Sequence, residues 1–153
     1  TYTPNESQLG KYLRVAITPN NGNLLGEEVL SQAVKIIDVS VENPTITVNA
    51  TAVSDFYSAL KISDTNTINV SVPVKNVSSS TKKFILYVSG YGNNILTKIS
   101  LNELSLNSNS QGVLTGTITL NAITAANIRN NIVKVYLWNA DSLAPVIIPY
   151  TLQ

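Results

Sequence analysis

The chain has no cysteine, no histidine and no methionine. Without cysteine there are no disulfides, thiolate nucleophiles or thiolate-ligated zinc or iron–sulfur centres. Without histidine the commonest general base and metal ligand are missing. Charge is scarce as well. Only 12% of residues are charged, about half the usual share, and the formal net charge is +1. That balance supplies neither the basic stripe that marks a nucleic-acid-binding surface nor a polybasic membrane anchor. Long hydrophobic runs are also missing: Val146-Ile147-Ile148 is closed by Pro145 and Pro149, far short of the ~20 apolar residues of a membrane span. No nucleic-acid partner and no membrane insertion are expected. No signal-peptide pattern opens the sequence, which reads as a mature or excised piece.

What is present is a globular chain of 153 residues, 44% hydrophobic, too apolar and too nearly neutral for intrinsic disorder. Its polar surface is built from Asn, Ser and Thr. The dominant local pattern is alternation with period two in short runs rich in Val, Ile, Thr and Tyr. Tyr12–Thr18 and Glu28–Ile37 read as a hairpin around the Gly22–Gly26 turn. Asp38–Glu42 and Thr45–Thr51 are short β-like runs broken at Asn43-Pro44. Asn66–Lys75 alternates well, and Pro73 within it suggests an edge strand or a bulge. Lys82–Ser89 and Ile95–Leu101 flank the hairpin signal Gly90-Tyr91-Gly92-Asn93-Asn94. Val113–Leu120 and Ile132–Trp138 are clear strands. Ile123–Asn130 allows one or two helical turns, with Thr124 as N-cap. Repeated short strands with polar turns predict an all-β antiparallel sandwich of immunoglobulin-like type, preceded by an N-terminal hairpin segment; a closed barrel is the alternative. The expected division is residues 1–37 and 38–153.

Two stretches resemble known modules. Tyr2-Thr-Pro, Leu9-Gly-Lys-Tyr-Leu-Arg-Val15, Thr18-Pro19 and Gly26-Glu-Glu-Val-Leu-Ser-Gln-Ala-Val34 resemble the end of Ig-like modules repeated in bacterial surface proteins and polysaccharide-degrading enzymes. That resemblance implies the last hairpin of such a module, with Tyr12 clasping the preceding corner. Ile68–Asn76, Phe84–Leu96, Gly112–Leu120 and the ending Val133-Lys-Val-Tyr-Leu-Trp-Asn-Ala-Asp-Ser-Leu-Ala-Pro145 look like another sandwich module found beside catalytic domains in secreted proteins of spore-forming Gram-positive bacteria. The ending departs from that pattern by placing Asn139-Ala140 between Trp138 and Asp141. The resemblances imply a non-catalytic module, extracellular or on the cell surface. Neighbouring modules of the same protein are the implied partners, with a polysaccharide or cell-wall glycan as a further one. They supply no catalytic residue, no metal ligand and no cofactor.

Glu27-Glu28 are adjacent and would face opposite sides of a strand. Asp55, Asp64, Glu103 and Asp141 are isolated in sequence, so only folding could assemble a glycosidase pair from them. Asp64-Thr65-Asn66 offers alternating oxygens but no complete calcium loop, and turn capping suits Asp64 better. Flat aromatic rings are what sugar binding needs, and Tyr57, Tyr87, Tyr91, Tyr136, Trp138 and Tyr150 are available. The ligand-binding candidates are Tyr91, expected exposed at a hairpin tip, with Tyr136 and Trp138. In Tyr136-Leu137-Trp138 either Leu137 or the Tyr/Trp pair faces inward, and the resemblance favours Trp138 as a core aromatic. Two functions stay open: an accessory carbohydrate-binding module, or a spacer or assembly module of a surface-layer or adhesin-type protein.

Overall fold

The computed structural model describes residues 4–22, 24–147 and 149–153. Tyr2 and Thr3 of the first motif, Asn23 of the expected turn and Ile148 of the last expected strand lie outside the described residues. The chain divides into two compact units, Thr1–Asp38 and Val39–Gln153.

The first unit is a broken β-ribbon. β1 (Tyr12–Leu13), β2 (Ala16–Ile17), β3 (Val29–Leu30) and β4 (Val34–Lys35) pair antiparallel as β1 with β4 and β2 with β3. Between the two ladders, residues 14–15 face the longer stretch 31–33. Ser31 bridges this irregularity: its N–H donates to the Val15 carbonyl at 2.8 Å, and its Oγ accepts from the Val15 N–H at 3.0 Å. Gly10 takes a positive φ of 79° and its N–H donates to the Ile36 carbonyl, closing the turn expected at Leu9-Gly10. The expected Tyr12 clasp is not formed. Tyr12 is 68% exposed, because a two-stranded ribbon has no corner of its own to cover.

The second unit is an antiparallel sandwich. It comprises β5 (Val39–Val41), β6 (Thr45–Val48), β7 (Thr51–Ala52), the short helix α1 (Phe56–Ala59), β8 (Asn66–Asn76), β9 (Lys82–Gly92), β10 (Ile95–Leu106), β11 (Gln111–Leu120), β12 (Asn131–Asn139), β13 (Ala144–Pro145) and β14 (Tyr150–Leu152). One sheet runs β11-β8-β6-β7, with β5 also on β8; the other runs β10-β9-β12-β13, with β14 also on β12. Edge strands β10 and β11 meet through side chains, Asn102 Nδ2 donating to the Thr115 carbonyl at 2.8 Å. No backbone ladder joins the two sheets among the described residues, so they form a sandwich and not a closed barrel.

Alternation explains the core. Ile68, Val70, Val72 and Val74 of β8 and Leu114, Ile118 and Leu120 of β11 face Phe84, Leu86 and Val88 of β9 and Val133, Val135 and Leu137 of β12, all buried. Burial at ~25 cal/mol per Å² of apolar surface makes this two-layer interior the main source of stability. A Cβ built on Gly116 would lie 2.6 Å from Val88 Cγ2, so a glycine is what lets β11 approach β9 there. Gly90 is similarly crowded, with Ile118 and Leu120 methyls 3.1 Å from its virtual Cβ.

Three local expectations change. Pro73 sits in a central strand, not at an edge or bulge. β8 pairs with β11 on one side and with β5 and β6 on the other. The missing N–H falls where β5 has ended and β6 has not begun, and the Pro73 carbonyl accepts from Glu42 N–H at 3.2 Å. The hairpin turn is Asn93-Asn94 alone, both with positive φ, as a two-residue type I′ connection demands. Gly90, Tyr91 and Gly92 therefore belong to β9. Finally, Asp55 caps α1, accepting from Tyr57 N–H and Ser58 N–H, in a stretch where no helix was expected. Thr124 closes a turn with Asn127, its Oγ1 accepting from Asn127 N–H while Asn127 Oδ1 accepts from Thr124 N–H, and the N-cap position of the helical turn falls to Asn127. It precedes a single 3₁₀ turn, Ile128–Asn130.

Two buried asparagines organise the loops. Asn76 donates from Nδ2 to the carbonyls of Ser80, Leu106 and Asn107, and its Oδ1 accepts from Ser78. Asn66 binds Lys61 through both backbone groups and accepts from Asn49 Nδ2. Each amide is fully buried and fully bonded, as a buried polar group must be to avoid a large desolvation cost.

Candidate functional site

The same alternation that fills the core sets the opposite face of the second sheet. Because Phe84, Leu86 and Val88 point inward, Ile85, Tyr87, Ser89 and Tyr91 of β9 point out; because Val133, Val135 and Leu137 point inward, Ile132, Lys134, Tyr136 and Trp138 of β12 point out. Residues opposite one another in register share a face. The outer face is thus ordered in ranks across three strands. Glu103, Ile85 and Trp138 form one rank; Leu101, Tyr87 and Tyr136 the next; Ile99, Ser89 and Lys134 the third; and Leu96, Tyr91 and Ile132 the last. From Trp138 to Ile132 the face extends about 20 Å along the strands.

The expectation that Trp138 is a core aromatic is corrected. Leu137 is fully buried and Trp138 only half-buried, since the sheet–sheet gap admits aliphatic chains at this position. Trp138 instead packs against Tyr87 across the strand pair, ring centroids 5.9 Å apart with planes at 69°. Tyr136 lies beside it in the neighbouring rank. Tyr91 is half-buried within β9, so its expected place at a hairpin tip is corrected as well: the crowding at Gly90 keeps that segment in the sheet. The structure therefore brings Tyr91, Tyr136 and Trp138 to one face and adds Tyr87, Ile85, Ile99 and Leu101. Ile85 and Tyr87 alternate with the core residues Leu86 and Val88 in an apolar run, but which face they take, like the placement of Ile99 and Leu101 beside them, is given by strand register.

Tyr91 and Tyr136 stand two ranks apart yet interact, so their phenols lean toward each other over the rank of Ser89 and Lys134. Burial pushes the Tyr136 phenol above its ordinary pKa of 10.0, and hydrogen bonding to and the charge of Tyr91 push in the same direction. Lys134 Nζ lies 5.3 Å from the centre of the Tyr91 ring. Ser89 is buried beneath, its Oγ donating to the Lys134 carbonyl at 3.2 Å. The result is a largely apolar surface with one ammonium and two phenol hydroxyls near its middle.

The remaining aromatics have other duties. The Tyr57 hydroxyl donates to the Arg129 carbonyl at 3.1 Å, and the Arg129 guanidinium covers its ring. Tyr150 pairs in register with Val135, on the face opposite Trp138. Three of the four isolated carboxylates are spent locally: Asp55 on α1, Asp64 on the Thr65 N–H at 2.8 Å, and Asp141 on the Lys83 N–H at 3.4 Å, whereas Glu103 stands on the outer face of β10. Asn66, the other residue weighed for calcium, has its side chain committed to the Lys61 and Asn49 contacts. Among the described residues no group of three acidic side chains gathers as a metal site would need. A cleft of ≈ 360 Å³ between Ser40, Glu42, Lys75 and Gln111 has no aromatic ring in its wall.

No family model matches the sequence, and no curated protein matches it either. Among solved structures, β-glucuronidase 2 from Bacteroides uniformis, covalently bound to cyclophellitol-6-carboxylate aziridine, is similar at 11% identity with a TM-score of 0.55. A β-glucuronidase structure from the same organism gives the same identity and TM-score, and in both the match covers 87% of this chain and 16% of that chain. A calcium-binding mutant of that β-glucuronidase 2 aligns at 11% identity and a TM-score of 0.51 over 71% of this chain and 12% of its own. The chain thus spans 12–16% of the length of these proteins, and what it shares with them is the β-sandwich fold.

Proposed function

We propose that the chain is a non-catalytic accessory module of a secreted or cell-surface bacterial protein, and that the outer face of β9 and β12 binds a polysaccharide. One observation carries this reading: Tyr87, Tyr91, Tyr136 and Trp138 share one solvent face of one sheet. Aromatic faces stack on the C–H faces of pyranose rings, and phenol hydroxyls and a neighbouring ammonium bond to sugar oxygens. Such a platform suits an extended chain laid along the strands better than a single sugar held in a cavity. The β-sandwich fold shared with parts of bacterial β-glucuronidases supports the accessory role. The local commitment of Asp55, Asp64 and Asp141 supports the absence of catalysis, because a glycosidase needs two free carboxyl groups facing each other.

A second reading belongs to the first unit. Leu13 faces Val34 and Ile17 faces Val29 across the ribbon, and all four are exposed, three of them at 62% or more. An isolated two-stranded ribbon is marginal in water. This unit therefore suits assembly with a neighbouring module, in keeping with its resemblance to the end of an Ig-like repeat.

The test is a binding screen of the purified chain against soluble and insoluble polysaccharides and cell walls, with Tyr136→Ala and Trp138→Ala in parallel. Saturable binding lost in folded variants supports the platform. Binding that survives both substitutions, or no binding at all, contradicts it.

A further inference from the structure

We infer that the middle of this platform selects a polysaccharide carrying carboxylate groups, a polyuronate, over a neutral one; this rests on the carbohydrate-binding reading above. The Lys134 ammonium stands over the Tyr91 ring and shares its rank with Ile99, Ser89 and, on β14, Thr151. No carboxylate stands in that rank. Glu103 is the acidic residue of the face, and it lies two ranks away on the outer strand β10. The Ser89 hydroxyl lies below the face and donates to the Lys134 carbonyl at 3.2 Å. On either side, the phenols of Tyr91 and Tyr136 lean over the same rank, and Tyr136 stays protonated to a higher pH than an ordinary tyrosine.

An ammonium and one free phenol O–H converge on one spot of an otherwise apolar surface, the other phenol O–H being engaged between Tyr136 and Tyr91. Both can donate to one anionic oxygen pair, and a charge-assisted bond to a carboxylate is about twice as strong as a neutral one. A neutral sugar at the same spot gains the stacking but leaves the charge unmatched. A glycan phosphate polymer fits less well, since repeated phosphates need closely spaced cations and the other lysine that β9 turns to this face, Lys83, stands three ranks from Lys134.

The experiment measures affinity for polygalacturonate and alginate, each beside its own carboxyl-reduced, neutral counterpart. Wild type, Lys134→Met and Lys134→Arg are compared at low and moderate salt. The expected result is tighter binding of at least one polyuronate than of its reduced form, by about tenfold, shrinking as salt screens the charge. Lys134→Met should abolish that difference while keeping the affinity for the reduced polymer, and Lys134→Arg should retain it. Equal binding of both forms by wild type, binding of neutral polymers only, or a preference unchanged in Lys134→Met overturns the inference and leaves the platform standing. Failure of every polymer to bind, with circular dichroism showing the native sheet, overturns the platform and this inference together.

Discussion

Tyr87 and Trp138 meet edge-on across the β9–β12 pair, ring centroids 5.9 Å apart, on the solvent side of the sheet, with Leu137 beneath in the core. The contact separates two kinds of residue within the triplet Tyr136-Leu137-Trp138. Leu137→Ala should cost ~2–5 kcal/mol, because it opens a cavity in the sandwich interior. Trp138→Ala should lose the ring pair, worth about 0.5–1.5 kcal/mol, plus part of a half-buried area. Urea denaturation followed by far-ultraviolet circular dichroism checks the order. A larger loss from Trp138→Ala than from Leu137→Ala would put the indole in the core after all.

Gly116 makes a second prediction. Its virtual Cβ lies 2.6 Å from Val88 Cγ2, so Gly116→Ala overpacks the sheet interface, at a cost of about 1–3 kcal/mol. Val88→Ala removes the obstructing methyl. In a double-mutant cycle the alanine at 116 should therefore cost less when Val88 is already shortened. Additive losses would show that the two sheets do not approach there.

Asn76 ties the end of β8 to the β10–β11 turn through the carbonyls of Leu106 and Asn107. Asn76→Ala should destabilise by about 1–3 kcal/mol for each buried group left without a bond. Hydrogen exchange should show the loosening first at residues 106–110. Uniform exchange across the sandwich would argue that Asn76 holds no particular loop.

The strands follow from period two, which is why Asn66–Lys75 and Ile132–Trp138 fall within a residue of the observed Asn66–Asn76 and Asn131–Asn139. The sandwich followed from their number and spacing. Other features depend on partners distant in sequence. Pro73 in a central strand is intelligible only once β5 and β6 are seen to leave a gap beside it. Gly90-Tyr91-Gly92 looks like a turn until Ile118 and Leu120 are found pressing on Gly90. Trp138 was ambiguous because both faces of β12 are apolar, and alternation alone does not say which apolar face meets the other sheet. The platform was partly legible: Tyr91, Tyr136 and Trp138 were candidates, whereas Tyr87, Ile99 and Leu101 join them only through register.

Tyr136 gives a pH prediction. Its folded pKa is raised, so the stability linked to its neutral phenol is fully present below the ordinary pKa of 10.0 and is lost as pH rises through the higher folded value. Absorbance titration of tyrosinate should show a late-titrating phenol in the native chain that disappears in Tyr136→Phe. That variant should also lose less stability between pH 9 and pH 11, measured in the same denaturation experiment, than the wild type does. An unchanged titration curve would contradict the burial of Tyr136 and its hydrogen bond with Tyr91.

Trp138 is the single tryptophan of the chain, so it reports on the proposed binding face directly. The most direct test is acrylamide quenching of its fluorescence during titration with a polysaccharide that the chain retains in a pull-down. The indole should become shielded as the ligand saturates, and Tyr136→Ala should shift the titration to higher concentration. Retention of the polysaccharide with Trp138 as open to acrylamide as before would place binding elsewhere on the molecule and contradict the platform.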